Sequence, residues 1–328
     1  MEGAFCSHFT AFLPWPLDMN WCNIRGMKSI HGVVPVIPVP FADDESIDEP
    51  SLRKAVDFVA EKGLAMCLPA YGGEFYKLSE AEREFVIGVA IEQNAGRMPI
   101  LAQANHGSAK VAAEFARQYE SMGADIISFA IPRQFGSTGI DVLRFCGEIA
   151  DAVSIPVLIQ DFNPGGSTID ATFISDLHRQ LGIFKYAILV EPLIIVKLVR
   201  IRDQVGDAVG ILEGWGGMYM LEAIPLGIVG IMPGVPYCDL LDHIYKARES
   251  GDDDRAYDLF AAAMPMMFFS LQDLELFLQV EKRMMVRRGL FESSHVRNLT
   301  FTQSEDVLRH AEFLIDQILR VMKDEDLC

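Results

Sequence analysis

The chain has 328 residues, half of them hydrophobic, with ordinary glycine, proline and charged fractions, so a large core is expected and disorder is not. A formal net charge of −18 argues against nucleic acid or an anionic membrane surface as partner. No apolar run approaches the ~20 residues of a membrane span, and the six scattered cysteines form no C-x-x-C pair, so they read as reduced thiols in a reducing, cytoplasmic compartment.

Residues 1–26 carry Trp15, Trp21, Pro14 and Pro16 without helical or strand periodicity. They read as an extension outside the fold, with Met27 a candidate start; Glu2 and the prolines oppose a signal peptide. From residue 33 a regular beat begins. Apolar runs at 33–39, 64–68, 99–104, 125–131, 155–160, 183–187, 208–213 and 228–232 alternate with amphipathic stretches such as 51–62, 79–93 and 108–122. The spacing of about 20 to 35 residues is that of one strand, loop and helix. Ser79 and Glu82 have the spacing of a capping box, and Gly63, Gly123 and Gly182 are placed to end helices in the left-handed conformation.

Eight such units predict a parallel sheet covered on both faces and closed into a (β/α)8 TIM barrel, with its site at the carboxyl edge of the strands. An open doubly wound sheet is the alternative, but no G-x-G-x-x-G follows the first strand. After the eighth strand the pattern turns helical over 238–249, 252–289 and 303–323, with Pro265 expected to break or kink the middle stretch. The predicted organisation is an extension (1–26), the barrel (27–237), and a last barrel helix with a C-terminal helical appendage (238–328).

Four strand ends carry candidate chemistry. Lys185 lies within GIFKYAILV; a desolvated amine there would be a nucleophile for a carbonyl, whereas an outward lysine would lay its stem along apolar surface. Tyr71-Gly72-Gly73-Glu74 follows strand 2, where inward backbone amides would form an anion-binding concavity, or merely a tight turn. Gln160-Asp161 ends strand 5, to orient a substrate or water, or to cap a turn. Arg133 follows strand 4, to grip a carboxylate bidentately or to lie exposed. Histidines 31, 106, 178 and 243 are dispersed, so a metal-dependent hydrolase is not expected and no metal site is assigned.

These pieces together resemble the dihydrodipicolinate synthase / N-acetylneuraminate lyase family of class I aldolases and dehydratases. HGVVPVIPVPF is similar to its first strand, AYGGEFYKLSEAER (70–83) to its G-T-T-G-E-x-x-x-L-s-x-x-E-R signature, and IPVLIQDFNPGG to its fifth strand. GIFKYA places Lys185 on the Schiff-base lysine of its G-x-K motif, LGIVGIMPG matches the eighth strand, and EKRMMVRRGL a late helix.

The resemblance, over about residues 30–325, implies a lyase acting on a small 2-keto acid of the pyruvate type by aldol cleavage, condensation or dehydration. It implies Lys185 as the Schiff-base nucleophile, no metal and no diffusible cofactor, and a homo-oligomer, a dimer or tetramer. It places Gln160 at the position of the family's catalytic tyrosine, with proton transfer passing to Tyr71, Asp161 or a bound water, and Tyr71, Gly72 and Gly73 at its carboxylate-binding turn; Asp161 and Arg133 are the further substrate-binding candidates.

Departures accompany it. The family's two carboxylate-holding hydroxyl residues fall on Tyr71 and Gly72, and its proton-relaying tyrosine on Gln160, which is no acid or base near neutral pH. The arginine of dihydrodipicolinate synthases falls on Gly165, and their P-Y-Y segment reads Pro132-Arg133-Gln134. The lysine-pathway condensation is therefore not expected. A degenerate member that binds a keto acid without efficient turnover is the alternative.

Overall fold

Eight short apolar strands, each too hydrophobic to leave a face in water, pair in parallel around a common axis. They are β1 (Gly32–Val33), β2 (Met66–Leu68), β3 (Ile100–Gln103), β4 (Ile126–Ala130), β5 (Val157–Phe162), β6 (Phe184–Val190), β7 (Gly210–Glu213) and β8 (Gly230–Ile231). The sheet order β1-β8-β7-β6-β5-β4-β3-β2 is closed where Val36 bridges Cys67, giving the (β/α)8 barrel. This computed structural model describes residues 28–133, 138–163, 168–297 and 303–327. The extension at 1–26, Gln134 and Gly165 lie outside the described residues.

The first strand is shorter than the apolar run 33–39 predicts. Pro35, Pro38 and Pro40 interrupt it, and a proline has no amide to give to a ladder. Closure therefore rests on two bonds around the first proline, Ile37 N–H to the Cys67 carbonyl and Cys67 N–H to the Pro35 carbonyl, both at 3.0 Å.

Around the barrel run α1 (Glu49–Glu61), α2 (Glu80–Asn94), α3 (Ala109–Met122), α4 (Gly139–Ala150), α5 (Ala171–Gln180), α6 (Ile194–Val205), α7 (Met220–Ala223) and α8 (Cys238–Ser250). The capping box forms as its spacing predicts: the Ser79 side chain accepts from the Glu82 amide and the Glu82 carboxylate from the Ser79 amide. Gly123 closes α3 at a φ of 110° and Gly63 follows α1 at 73°, but Gly182 has no positive φ, because α5 ends on the extended Leu181.

Beyond α8 lie α9 (Asp253–Ser270), α10 (Leu274–Arg287) and α11 (Glu305–Asp324). Pro265, expected to break or kink the stretch, does not end the helix: it lies inside α9. The interruption falls at Leu271–Asp273, where the Asp273 carboxylate accepts from the amides of Glu275 and Leu276 and starts a new helix.

Two apolar clusters define inside and outside. One fills the space between strands and helices. The other lies on the axis and draws on each part of the barrel through Val34, Cys67, Leu101, Ile126, Leu158 and Leu212. On β6 the parity is clear: Tyr186, Ile188 and Val190 join the axial cluster, while Ala187 and Leu189 join the outer one.

Candidate active site

At the carboxyl ends of the strands a cavity of about 340 Å³ opens. Gln160 and Phe162 of β5 and Ile188 and Val190 of β6 form one part of its wall, and the Gly214–Gly216 loop after β7 another. The segment from Leu271 to Leu274, with Phe277 of α10, covers one side. Gly72 allows that approach, since a Cβ there would stand 3.2 Å from the Phe277 ring.

The G-G-E signature folds into two 3-10 turns, Tyr71–Gly73 and Phe75–Lys77, joined at Glu74 in the left-handed region at φ 59°. Such a φ is costly for a non-glycine residue and is kept only where the surroundings impose it. Here the fully buried Glu74 carboxylate pairs with Lys77 at 3.1 Å and with the buried Lys282 of α10. Lys77 also pairs with Glu275 at 2.8 Å, which accepts from the Tyr76 hydroxyl. Arg83, the last residue of the signature, donates to the carbonyls of Phe75 and Asn105. The signature's charged residues thus fasten the turn to α10 and to the end of β3, and the turn in turn presents Tyr71 and Gly72 to the cavity.

A chain of amides fixes what Gln160 offers. The Ala130 amide, which can only donate, binds Asn105 Oδ1 at 2.6 Å. Asn105 Nδ2 must then donate, and does so to Gln103 Oε1 at 2.7 Å; Gln103 Nε2 donates to Gln160 Oε1 at 3.1 Å. The orientation of all three side-chain amides follows from one backbone N–H. Gln160 is left with its Nε2 group as a donor beside the cavity. Asn105 and Gln103 were not singled out from the sequence; their signal was two polar residues in the otherwise apolar ILAQAN.

The other predicted residues divide. Tyr71, Gly72 and Gln160 line the cavity. Gly73 is buried behind them, where a Cβ would meet the Ile37 carbonyl at 2.9 Å. Arg133 and Asp161 are not among the residues that line the cavity. Arg133 forks onto the Asp161 carboxylate, which also accepts from the Ile169 amide. Asp161 is 3% exposed, and the two charges satisfy each other. Burial and the nearby Asp161 charge push the Tyr71 phenol up, so it is a hydroxyl donor near neutral pH rather than a base.

Lys185 stands apart from these residues. Val157 pairs with Phe184 and Leu158 with Tyr186, so Lys185 is the extra residue of a register shift at the start of β6. The next residue inward, Tyr186, accepts from the Ile30 amide ahead of β1, at the amino end of the barrel. Three residues along a strand span roughly 10 Å, and Lys185 does not line the cavity. The residue paired with Gln160 and lining it is Ile188. The half-exposed Lys185 fits the alternative that the sequence left open, a lysine whose stem lies along apolar surface.

Glu213, the last residue of β7, organises the loop that follows. Its buried carboxylate accepts from the amides of Trp215 at 2.9 Å and Gly217 at 2.6 Å. Gly214 leaves room for β6, since a Cβ there would lie 2.3 Å from Ile188 Cγ2. Burial, only partly offset by the two amides, pushes the Glu213 carboxyl up from 4.5 to about 8. A raised carboxyl favours the fold while protonated, so its contribution is whole below 4.5 and lost as pH rises to about 8. Between pH 5 and 8.5, Glu213→Gln is expected to lose less stability than the parent, by up to a few kcal/mol. Urea unfolding at both pH values measures this, and equal losses would remove the assignment.

Comparison with known proteins agrees with this architecture. The model of the dihydrodipicolinate synthetase family matches residues 29–318. The chain belongs to this family. It is 28% identical over 242 residues to L-2-keto-3-deoxyarabonate dehydratase of Azospirillum brasilense, covering 72% of this chain and 78% of the relative. It is 26% identical over 246 residues to 4-hydroxy-tetrahydrodipicolinate synthase of Methanopyrus kandleri, covering 72% and 80%.

Among solved structures, dihydrodipicolinate synthase from Rhodopseudomonas palustris superposes with a TM-score of 0.82 at 24% identity, covering 89% of this chain and 99% of that one. N-acetylneuraminate lyase from Mycoplasma synoviae gives 0.77 at 20% identity, covering 88% and 98%. These likenesses carry the fold. As a dihydrodipicolinate synthetase family protein, the chain is an enzyme of the aldolase and dehydratase type of lyase. Among the described residues no helix is long and apolar enough to cross a membrane.

Proposed function

We propose that this family member acts on a small 2-keto acid at the barrel mouth through hydrogen bonds, without a Schiff base at Lys185. One observation carries the reading: beside Gln160 the cavity wall of β6 is Ile188, and Lys185 stands at the amino end of that strand. The 3-10 turn begins at Tyr71, and its internal bonds start at the Gly73 amide, so the Tyr71 and Gly72 amides are the donors placed for a carboxylate. Gln160 Nε2 and the Tyr71 hydroxyl are then the donors for the keto oxygen. Donors aimed at that oxygen stabilise the enolate-like charge that develops when a proton leaves the neighbouring carbon. This supports dehydration or aldol chemistry on the keto acid, though not by a covalent route.

A second reading, binding without efficient turnover, is favoured by the described residues that line the cavity. No lysine or histidine is among them, and the Asp273 carboxylate is held through Oδ1 by two helix amides, so the proton would go to Asp273 Oδ2, water or the substrate itself.

Titration calorimetry with pyruvate and a hydroxy-keto acid panel tests the proposal. Gln160→Leu is expected to weaken binding about tenfold, the loss of one or two hydrogen bonds to a polarised oxygen. Lys185→Met is expected to leave affinity and any turnover unchanged. Loss of turnover in Lys185→Met, or a borohydride-stable adduct on Lys185 of the parent, would reinstate the covalent lysine and sink the proposal.

A further inference from the structure

The site reading above leaves open which part of a 2-keto acid lies beyond the keto group, and the walls answer it. Resting on that reading, we infer that the substrate carries one carboxylate and an apolar body, aromatic or branched alkyl, rather than a second charge or a row of hydroxyls.

Charge is the first argument. Asp273 is the charged side chain on the cavity lining, and its Oδ1 is taken by the amides of Glu275 at 2.9 Å and Leu276 at 3.2 Å. Nearby cations are engaged: Lys77 and Lys282 pair with Glu74, and Arg133 with Asp161. A second carboxylate would be desolvated here without a counterion, which is costly.

Polarity is the second argument. Tyr71, Gln103 and Gln160 come from the β2-to-β5 half of the barrel, and both amide ends of Gln103 are engaged, by Asn105 and Gln160. The other half offers Ile188, Trp215, Met232, Leu271, Leu274 and Phe277, with Gln272 as its side-chain amide, whose Nε2 donates to the Phe269 carbonyl at 3.2 Å. A row of hydroxyls directed there would lose water and gain at most that one partner, at a cost. An apolar body loses nothing by leaving water and gains contact with this wall. The tilted Tyr71 and Phe162 rings, 4.8 Å apart, add an aromatic edge near the carboxylate turn. The cavity, at about 340 Å³, is also larger than the three carbons of pyruvate need.

Calorimetry on the full chain tests this with pyruvate, phenylpyruvate, 4-methyl-2-oxopentanoate, 2-oxoglutarate, a 2-keto-3-deoxy sugar acid, and phenylacetone as the carboxylate-free ketone. The two apolar-tailed acids are expected to bind about tenfold or more tighter than pyruvate. The dicarboxylate and the sugar acid are expected to bind no tighter than pyruvate. Leu274→Arg, which places a cation on the apolar wall, is expected to reverse the order of phenylpyruvate and 2-oxoglutarate. Sugar acid or 2-oxoglutarate binding as tightly as phenylpyruvate overturns the inference; so does pyruvate binding on which an apolar tail does not improve, an outcome that leaves the 2-keto acid reading intact. Phenylacetone matching phenylpyruvate overturns the 2-keto acid reading and leaves the apolar preference standing. No binding of any of the six overturns both.

Discussion

Lysine placed at position 188 is expected to make this barrel trap pyruvate as a borohydride-stable adduct, where the parent chain and Lys185→Met trap none. Ile188 is 3% exposed, lines the cavity and is the Cα partner of Gln160. An amine carried there would project into an apolar, water-poor space, which disfavours the ammonium and leaves a nucleophile. Its target would be the keto carbon of an acid whose carboxylate lies on the Tyr71 and Gly72 amides. Reduction should give a stoichiometric mass increase located by peptide mapping at residue 188. The Gly214 side of β6 is tight, so the lysine must extend away from that loop into the cavity. A folded Ile188→Lys protein, verified by its unfolding curve, that forms no adduct with pyruvate or phenylpyruvate would refute the placement of the keto acid at this wall.

Removing the Glu74 carboxylate is expected to have the largest effect on stability. Glu74 and Lys282 are both fully buried and pair with each other, so Glu74→Gln leaves an uncompensated buried amine. Breaking such a pair from one side costs about 3–5 kcal/mol, readable as a lower urea midpoint. The double variant Glu74→Gln/Lys282→Met should recover part of the loss, since the two side chains touch and their effects are not additive. The pH dependence has a definite sign. Burial lowers the Lys282 amine from 10.5 to about 8 in spite of Glu74, so the fold holds its ammonium less readily than the unfolded chain does. That penalty is present below about 8 and fades as pH rises towards 10.5. Without Glu74 the amine falls further, so the deficit of Glu74→Gln should be widest near neutral pH and should narrow in alkali. A pH-independent deficit would mean that the loss comes from packing alone.

Glu74 also shows how one short motif can serve two layers of the structure. The G-G-E stretch stood out as an anion-binding turn, and its glycines and tyrosine do face the cavity. Its glutamate, together with Lys77, Arg83 and Lys282, instead fastens that turn to α10 and β3. Nothing local distinguishes a charged residue that meets substrate from one that meets a lysine 208 positions later (Glu74 to Lys282). Arg133 and Asp161 illustrate the same point: each was singled out as a polar residue at a strand end, and they turned out to be each other's partner.

By itself the sequence determined the alternation of strands and helices, the closed parallel barrel, the helical appendage, the family, and Tyr71, Gly72 and Gln160 at the strand ends. All of these follow from hydrophobic period, turn residues and short motifs, which are local. Tertiary structure alone decided the register of β6 and the direction of the amide chain that ends on Gln160. An inserted residue at a strand start moves every side chain after it to the other face, and no periodicity count sees it in an apolar run of FKYAILV. That single shift put Lys185 at the far end of the barrel and Ile188 beside Gln160, which is the difference between a covalent lyase site and the hydrogen-bonding one proposed above.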